Sequence, residues 1–289
     1  MLQQILLSGV AVGAIYALIA IGFTVVFSTM RIVNFAHGEF VMGGGMLYAY
    51  LTGVHGMAIV PALALAVAAC GLLGWLVYEG GLANADPDNH VAQVMITLGV
   101  GVTLKGAAQV FIGKETLFPP AFSGSASVRI GTTAISPQAL WIFGSLIAFM
   151  LALYALQRYT RLGRGMRAVA INHYAAVLMG ISPRRAAAMA FILAGVIGGA
   201  AGALMAPLAS THYDNGIFLA IKGFAAAILG GIGSPLGAVV GGIVLGLTES
   251  LAAGYLSSVY KDAVSLLLLL VVLLVRPQGL FGTPLPQKL

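Results

Sequence analysis

Between Ile5 and Phe27 the chain carries no charged residue, and comparable apolar runs recur along its whole length. A helix needs about 20 apolar residues to cross a hydrocarbon core about 30 Å thick, so such runs read as membrane spans. They fall at Ile5–Phe27, Phe40–Thr52, Ala58–Tyr78, Val91–Ile112, Leu140–Leu156, Ala187–Leu208, Phe218–Ile232, Gly237–Leu251 and Ala263–Val275. The composition agrees, because 60% hydrophobic and 8% charged residues leave too little polar surface to cover a soluble globule. The expected fold is an all-α polytopic membrane protein of about eight to ten transmembrane helices, with residues 1–289 forming a single transmembrane domain. The runs at Phe40 and Phe218 are short, and Gly43-Gly44-Gly45 and the stretch Gly230–Pro235 interrupt them. Broken or re-entrant helices are predicted there, a backbone tolerated only where protein buries it or water reaches it. The first run continues well beyond a signal-peptide core and lacks a positive flank, so it is expected to stay as a span.

Orientation follows from charge. Of fourteen Lys and Arg residues, Arg158, Arg161, Arg164, Arg167, Arg184 and Arg185 lie between two apolar runs with no acidic residue among them. Short basic loops stay on the cytoplasmic side, which assigns 158–186 inside. Residues 114–138 then lie outside, where Phe118-Pro119-Pro120, Gly124 and the alternation Val128-Arg129-Ile130 before Gly131 predict a small external hairpin. Arg31 favours an inner turn after the first span, and Arg276 and Lys288 an inner C-terminus. The net charge of +6 is thus a matter of topology and points to no nucleic acid.

The chemistry-bearing motifs are few. No phosphate-binding GxxxxGK[ST] loop, HExxH pair or recoverable Ser/His/Asp arrangement occurs, and the single cysteine, Cys70, forms neither an intrachain disulfide nor a cysteine metal site. No catalytic residue, metal or cofactor is expected on this chain, so any energy source must lie elsewhere. Gly9 and Gly13, Gly195 and Gly199, Gly198 and Gly202, Gly237 and Gly241, and Gly242 and Gly246 share a four-residue spacing that suits close helix packing and identifies no solute.

Within the basic loop, Met166, Val169, Ala170, Tyr174, Val177, Leu178 and Ile181 recur at helical spacing, which predicts a short amphipathic helix ended by Gly180. Ser182 and Pro183 form an N-cap and first-position pair for the next helix, placing Arg184 and Arg185 at its cytoplasmic mouth. One reading is a basic helix resting on anionic lipid; the other is a helix that docks a protein.

The run Gly163-Arg164-Gly165-Met166-Arg167-Ala168, followed by Leu178-Met179-Gly180-Ile181, resembles the cytoplasmic coupling region of branched-chain amino acid ABC permeases. The resemblance, to the LivH-type subunits, runs essentially end to end. It includes Gly13-Ala14-Ile15-Tyr16-Ala17-Leu18, Asn34-Phe35-Ala36-His37-Gly38-Glu39, Ile228-Leu229-Gly230-Gly231-Ile232-Gly233-Ser234-Pro235 and Arg276-Pro277-Gln278-Gly279-Leu280-Phe281-Gly282. Asn172-His173-Tyr174 departs from it, since some members carry acidic residues there. The resemblance implies one permease subunit of an importer in the bacterial inner membrane. Two cytoplasmic ABC ATPases would drive alternating access, a second, related permease chain would complete the pathway, and an external solute-binding protein would deliver solute. Arg164, Met166, Arg167, Val169, Tyr174, Val177, Leu178 and Ile181 would couple to the ATPase. Related permeases carry branched-chain or other amino acids, urea, amides or small aromatic acids, so the solute stays open.

Ionisable residues inside a membrane are functional candidates by default. Asn34, His37 and Glu39 have two readings. In one, Asn34 caps a helix, Glu39 complements its positive end and His37 packs; in the other, His37 and Glu39 line the pathway or its inner gate. Lys105, Lys222 and Glu249 also lie in or beside apolar runs. Lys222 either pairs with Glu249 or snorkels to the surface, and Thr248-Glu249-Ser250 makes Glu249 a pathway candidate. Outside, His212 to Gly216 reads as a solvated turn or a contact for the binding protein. Two rival functions remain: a secondary transporter coupling protons through Glu39, His37 or Glu249, and a lipid-binding structural or receptor subunit without solute flux.

Overall fold

The computed structural model describes residues 2–86, 89–124, 128–130 and 133–282. The chain runs α1 (Leu2–Met30), α2 (His37–Gly53), α3 (Ile59–Val77, prolonged by a π-helical turn at Tyr78–Leu82), α4 (His90–Phe111), a hairpin of β1 (Val128–Ile130) and β2 (Thr133–Ile135), α5 (Pro137–Tyr159), α6 (Arg161–Ile171), α7 (His173–Leu178), α8 (Pro183–Ala209), α9 (Asn215–Gly230), α10 (Pro235–Tyr255) and α11 (Lys261–Val275). Each expected apolar run is a helix. Helices α1, α3 with its π turn, α4, α5, α8 and α10 are long and apolar enough to cross a membrane. The shorter α2, α9 and α11, of 17, 16 and 15 residues, span only about 23–26 Å at 1.5 Å per residue.

Helices α1 and α8 form the centre, with 78% and 72% of their most apolar windows buried against 11% for the peripheral α4. Their small residues explain the placement. Lipid gives apolar side chains no reason to leave it, so helices associate where backbones come close. A Cβ on Gly13 would lie 2.8 Å from Ile243 Cα, and one on Gly246 would overlap the Gly13 backbone, so α1 and α10 pack antiparallel with glycine at the crossing. Gly202 of α8 meets Val41 of α2 equally closely, and Gly195 meets Cys70 of α3.

One end of the bundle gathers the basic residues. Arg31, Gln157, Arg167, Ser234 and Phe281 line one cavity there, which places the turn after α1, the α5–α6 corner, the α9–α10 turn and the C-terminal segment on the same, inner face. The N-terminus of α1 is therefore outside and residue 282 inside; Lys288 lies outside the described residues. At the outer end the loop before the hairpin is stitched down by the Leu117–Thr211 bridge, by Tyr48 donating to the Pro120 carbonyl (3.2 Å) and by Gln138, whose amide donates to the Leu204 carbonyl (2.8 Å). The hairpin is antiparallel, with Val128 opposite Ile135 and Ile130 opposite Thr133.

The predicted breaks lie elsewhere than expected. Helix α2 passes unbroken through Gly43-Gly44-Gly45, and Gly230–Pro235 is a tight turn between α9 and α10, with Gly231 and Gly233 at φ of 101° and 98°. The re-entrant backbone instead precedes α2. Arg31 reverses the chain at φ 60°, and His37 then reaches the Ile19 carbonyl, eleven residues or about 17 Å back from the end of α1. Helix α2 accordingly begins at mid-depth, and Gly44 and Gly45 inside it serve packing. A Cβ on Gly44 would overlap the Gly199 backbone, whereas one on Gly43 would meet nothing within 4 Å.

This difference between adjacent glycines is testable by thermal unfolding in detergent. Gly44→Ala should destabilise by about 1–3 kcal/mol through overpacking, while Gly43→Ala should be neutral or raise stability by about 0.5–1 kcal/mol.

Candidate functional site

The basic loop folds as helix, turn, helix, but not as the single helix expected over 166–181. Thr160 caps α6 by accepting from Gly163 N (3.0 Å), and Gly163 is required because a Cβ there would overlap the Leu156 carbonyl. Asn172 then leaves the helical region at φ −152° and caps α7 by accepting from Ala175 N (3.0 Å). An Asn side chain can offer the backbone an alternative to the helical bond, which is why the helix divides there. Gly180, at φ 76°, turns the chain toward Ser182, which caps α8.

The division splits the apolar stripe between two faces. Met166, Val169 and Ala176 are buried against the bundle, with Ile181 partly covered, so these residues hold the helices in place. Tyr174 (79% exposed), Leu178 (88%), Ile171 (85%) and Met179 (81%) project away, with Val177 half exposed beside them. Ile171 and Met179 went unrecognised in the sequence because one helical period was carried through Asn172; the Asn and Gly180 are the signals that relocate them. Arg164 is exposed with its guanidinium on the Thr160 carbonyl (3.3 Å), Arg167 edges the inner cavity, and Arg184 pairs with Glu79 on the π turn (Nε to Oε2 3.1 Å).

At mid-depth, Asn34 shapes the re-entrant backbone. Its Oδ1 accepts from Ala36 N (3.1 Å), its carbonyl accepts from His37 N (3.2 Å), and Thr97 of α4 accepts from Phe35 N (3.3 Å). Asn34 thus turns the chain two residues ahead of the cap position, which Ala36 occupies. His37 is fully buried and its Nε2–H donates to the Ile19 carbonyl at 3.0 Å, which fixes the tautomer. Its ring fills the space above Gly22 and meets Phe23 edge-on at 4.7 Å. Glu39 sits in the first turn of α2, and its carboxylate lies against Gly216 in the first turn of α9. Two helix N-termini, each positive by its dipole, therefore meet one buried acid. Thr24 Oγ1, Asn34 Nδ2, His37 Nδ1 and Glu39 Oε2 are buried without a hydrogen-bond partner among the described residues, a concentration of unpaired polar atoms that a purely structural seam avoids.

Near the outer face, Lys105 of α4 pairs with Asp214 ahead of α9. The ammonium holds the Asp214 carboxyl below the usual carboxylate range, so the contact persists at neutral pH and is lost only as pH falls through that lowered value. Lys222 pairs instead in the interior. At 3% exposure it does not snorkel; its ammonium contacts Glu249 and Asp262 Oδ1 (2.7 Å). Tyr16 donates to Glu249 Oε2 (2.7 Å) and Ser265 to Oε1 (3.1 Å), which joins α1, α9, α10 and α11 in one network. The extra donors matter because a buried ion pair recovers its desolvation cost only when its remaining lone pairs are satisfied. Asp262 is the member that sequence reading missed, since a charge at a helix start gives no sign of what it faces.

The family described as "Branched-chain amino acid transport system / permease component" matches residues 5–273. The high-affinity branched-chain amino acid transport system permease protein LivH of Salmonella typhimurium is 34% identical, over 99% of this chain and 97% of that one. BraD of Pseudomonas aeruginosa, with the same description, is 34% identical over the same shares. A solved structure, "PsaBC from Streptococcus pneumoniae in complex with Fab", shares the fold at a TM-score of 0.50 and 14% identity, over 96% of this chain and 92% of that one. Since the match runs from the first span to the last helix, the chain belongs to the branched-chain amino acid permease family, as a multi-pass membrane transport subunit rather than an enzyme.

Proposed function

We propose that this chain is one permease subunit of an ATP-driven importer for branched-chain amino acids, working by alternating access in the bacterial inner membrane. The observation that carries the proposal is the exposed apolar cluster of Ile171, Tyr174, Leu178 and Met179 on the arginine-marked face. A cytoplasmic ABC ATPase docks on that cluster, with Val177 at its edge and Arg164 and Arg167 on its flank. Helix α6 packs on α1, α5 and α8, so a displacement of the docked pair reaches the central helices directly. Docking needs only to favour one conformation of the bundle over the other, because a partner shifts an equilibrium by its differential affinity. A second, related permease chain completes the pathway. A solute-binding protein delivers at the outer face, where residues 210–213 and the 113–124 loop meet at the Leu117–Thr211 bridge. The substrate follows from the relatives' names, and this chain itself needs no cofactor.

The buried Lys222–Glu249 pair, with the part-exposed Asp262 beside it, favours a second reading, proton-coupled transport by this chain alone. ATP-independent uptake by vesicles holding only this chain would establish that alternative.

Two substitutions test the first reading in the assembled, reconstituted complex. Leu178→Asp should weaken ATPase association by about 30-fold or more and lower ATP-driven uptake accordingly, with membrane insertion intact; a helix resting on lipid would leave uptake unchanged. Glu39→Gln removes a buried charge set between two helix ends. If the mid-depth seam gates the pathway, uptake should fall by about tenfold, the equivalent of about 1.5 kcal/mol. Wild-type uptake by that variant removes Glu39 from the gate.

A further inference from the structure

In the outer half of the bundle, α1, α8, α9, α10 and α11 line a half-open cavity of about 440 Å³, within the roughly 300–1,000 Å³ of small-molecule sites. Its walls are of two kinds. Ile15, Met205, Phe218 and Leu219 offer apolar surface, while Glu249 brings a carboxylate, Lys261 an ammonium and Tyr16 a hydroxyl. The charges in and behind the wall cancel: Lys222 and Lys261 are positive, Glu249 and Asp262 negative. A free carboxylic acid or amine entering this setting would bring an uncompensated charge out of water, which is costly, whereas a zwitterion would not. The bonding within the wall leaves room for one. Among the described residues, Lys222 and Ser265 occupy Glu249 Oε1, Oε2 accepts from Tyr16 alone, and Lys261 forms no ion pair.

We propose that this cavity is a transient binding site for a zwitterionic α-amino acid with an apolar side chain. The ammonium of the ligand donates to Glu249 Oε2, its carboxylate meets Lys261, and its side chain lies against Ile15, Met205, Phe218 and Leu219. Lys222 and Asp262 are positioning residues that hold the Glu249 carboxylate toward the cavity. The inference rests on the permease reading above and deepens it, since it separates amino acids from uncharged amides or urea and from simple acids. Five helices contribute to the wall, so rearrangement of the bundle changes the shape of the site and with it the affinity.

The test is equilibrium binding of radiolabelled L-leucine to the purified complex of permeases and ATPases without its binding protein. Unlabelled leucine should compete, whereas isocaproate, which lacks the ammonium, and isoamylamine, which lacks the carboxylate, should compete at least about tenfold less well. Glu249→Gln and Lys261→Met should each weaken binding by about tenfold or more. Because Glu249→Gln also disturbs Lys222, Ala253→Trp serves as an independent variant: it fills the cavity from α10 without removing a charge, and should abolish binding. Leucine binding within about twofold of wild type in all three variants, or equal competition by the two half-analogues, overturns the proposal. ATP-driven leucine uptake by the wild-type complex with its binding protein is measured in parallel. Uptake without binding at this cavity refutes the site alone; no ATP-driven uptake of any amino acid refutes the permease reading with it.

Discussion

Lipid tails compete on equal terms with Leu and Val for one another's company, so what holds this bundle is closeness of backbone to backbone. Where α1 crosses α10 and α2 crosses α8, there is no room for even a methyl group on either partner. These contacts place two small-residue helices, α1 and α8, at the centre, and everything polar inside the membrane is arranged around them. The short helices α2 and α9 can begin below the surface only because that centre shields their ends. An open strand of backbone at residues 31–36 would be untenable against lipid, yet here Asn34 and Thr97 satisfy part of it and the surrounding helices exclude lipid from the rest.

The interior charges fall into two groups with different logic. At mid-depth, Glu39 has no basic residue within ion-pair distance among the described residues and is balanced by the oriented peptides of two helices. Nearer the outside, Glu249 is balanced by a formal countercharge, Lys222, and by two further hydrogen-bonding neighbours, Tyr16 and Ser265, on separate helices. The first arrangement depends on how two helix ends are aimed, so a small tilt of either alters it. The second behaves as a rivet through four helices, tolerant of small motions and strongly opposed to separation.

Much of this architecture could be read from residue order, and the exceptions have physical causes. Apolar runs marked every membrane helix because span length is imposed by the bilayer, and the arginines marked the inner face because translocation disfavours them. Gly43 to Gly45 misled, since glycine permits both a break and a close contact and only the neighbouring helix decides between them. Asn172 misled differently: its cap competes locally with a helix whose periodicity alone looked continuous. The pairing of Lys222 with Glu249 was visible as an option, but choosing it over the surface required knowing that α10 and α11 cover α9. No pattern in the chain announced Asp262 or the cavity beside Glu249, because both are properties of how helices distant in sequence converge.

The C-terminal segment has a bearing on how the molecule is made. Leu280 N and Phe281 N donate to the carbonyls of Leu229 and Gly230, both at 2.9 Å, and so satisfy two carbonyls of the last turn of α9 that the helix itself leaves open. That segment follows α11 and is synthesised some fifty residues after the helix it completes. Until those residues emerge from the ribosome, the inner end of α9 and the turn into α10 carry unpaired backbone at the membrane surface. A segment that emerges only after every helix therefore closes the inner face, and removing Leu280 and Phe281 with their neighbours would leave all the helices in place yet that face unsealed.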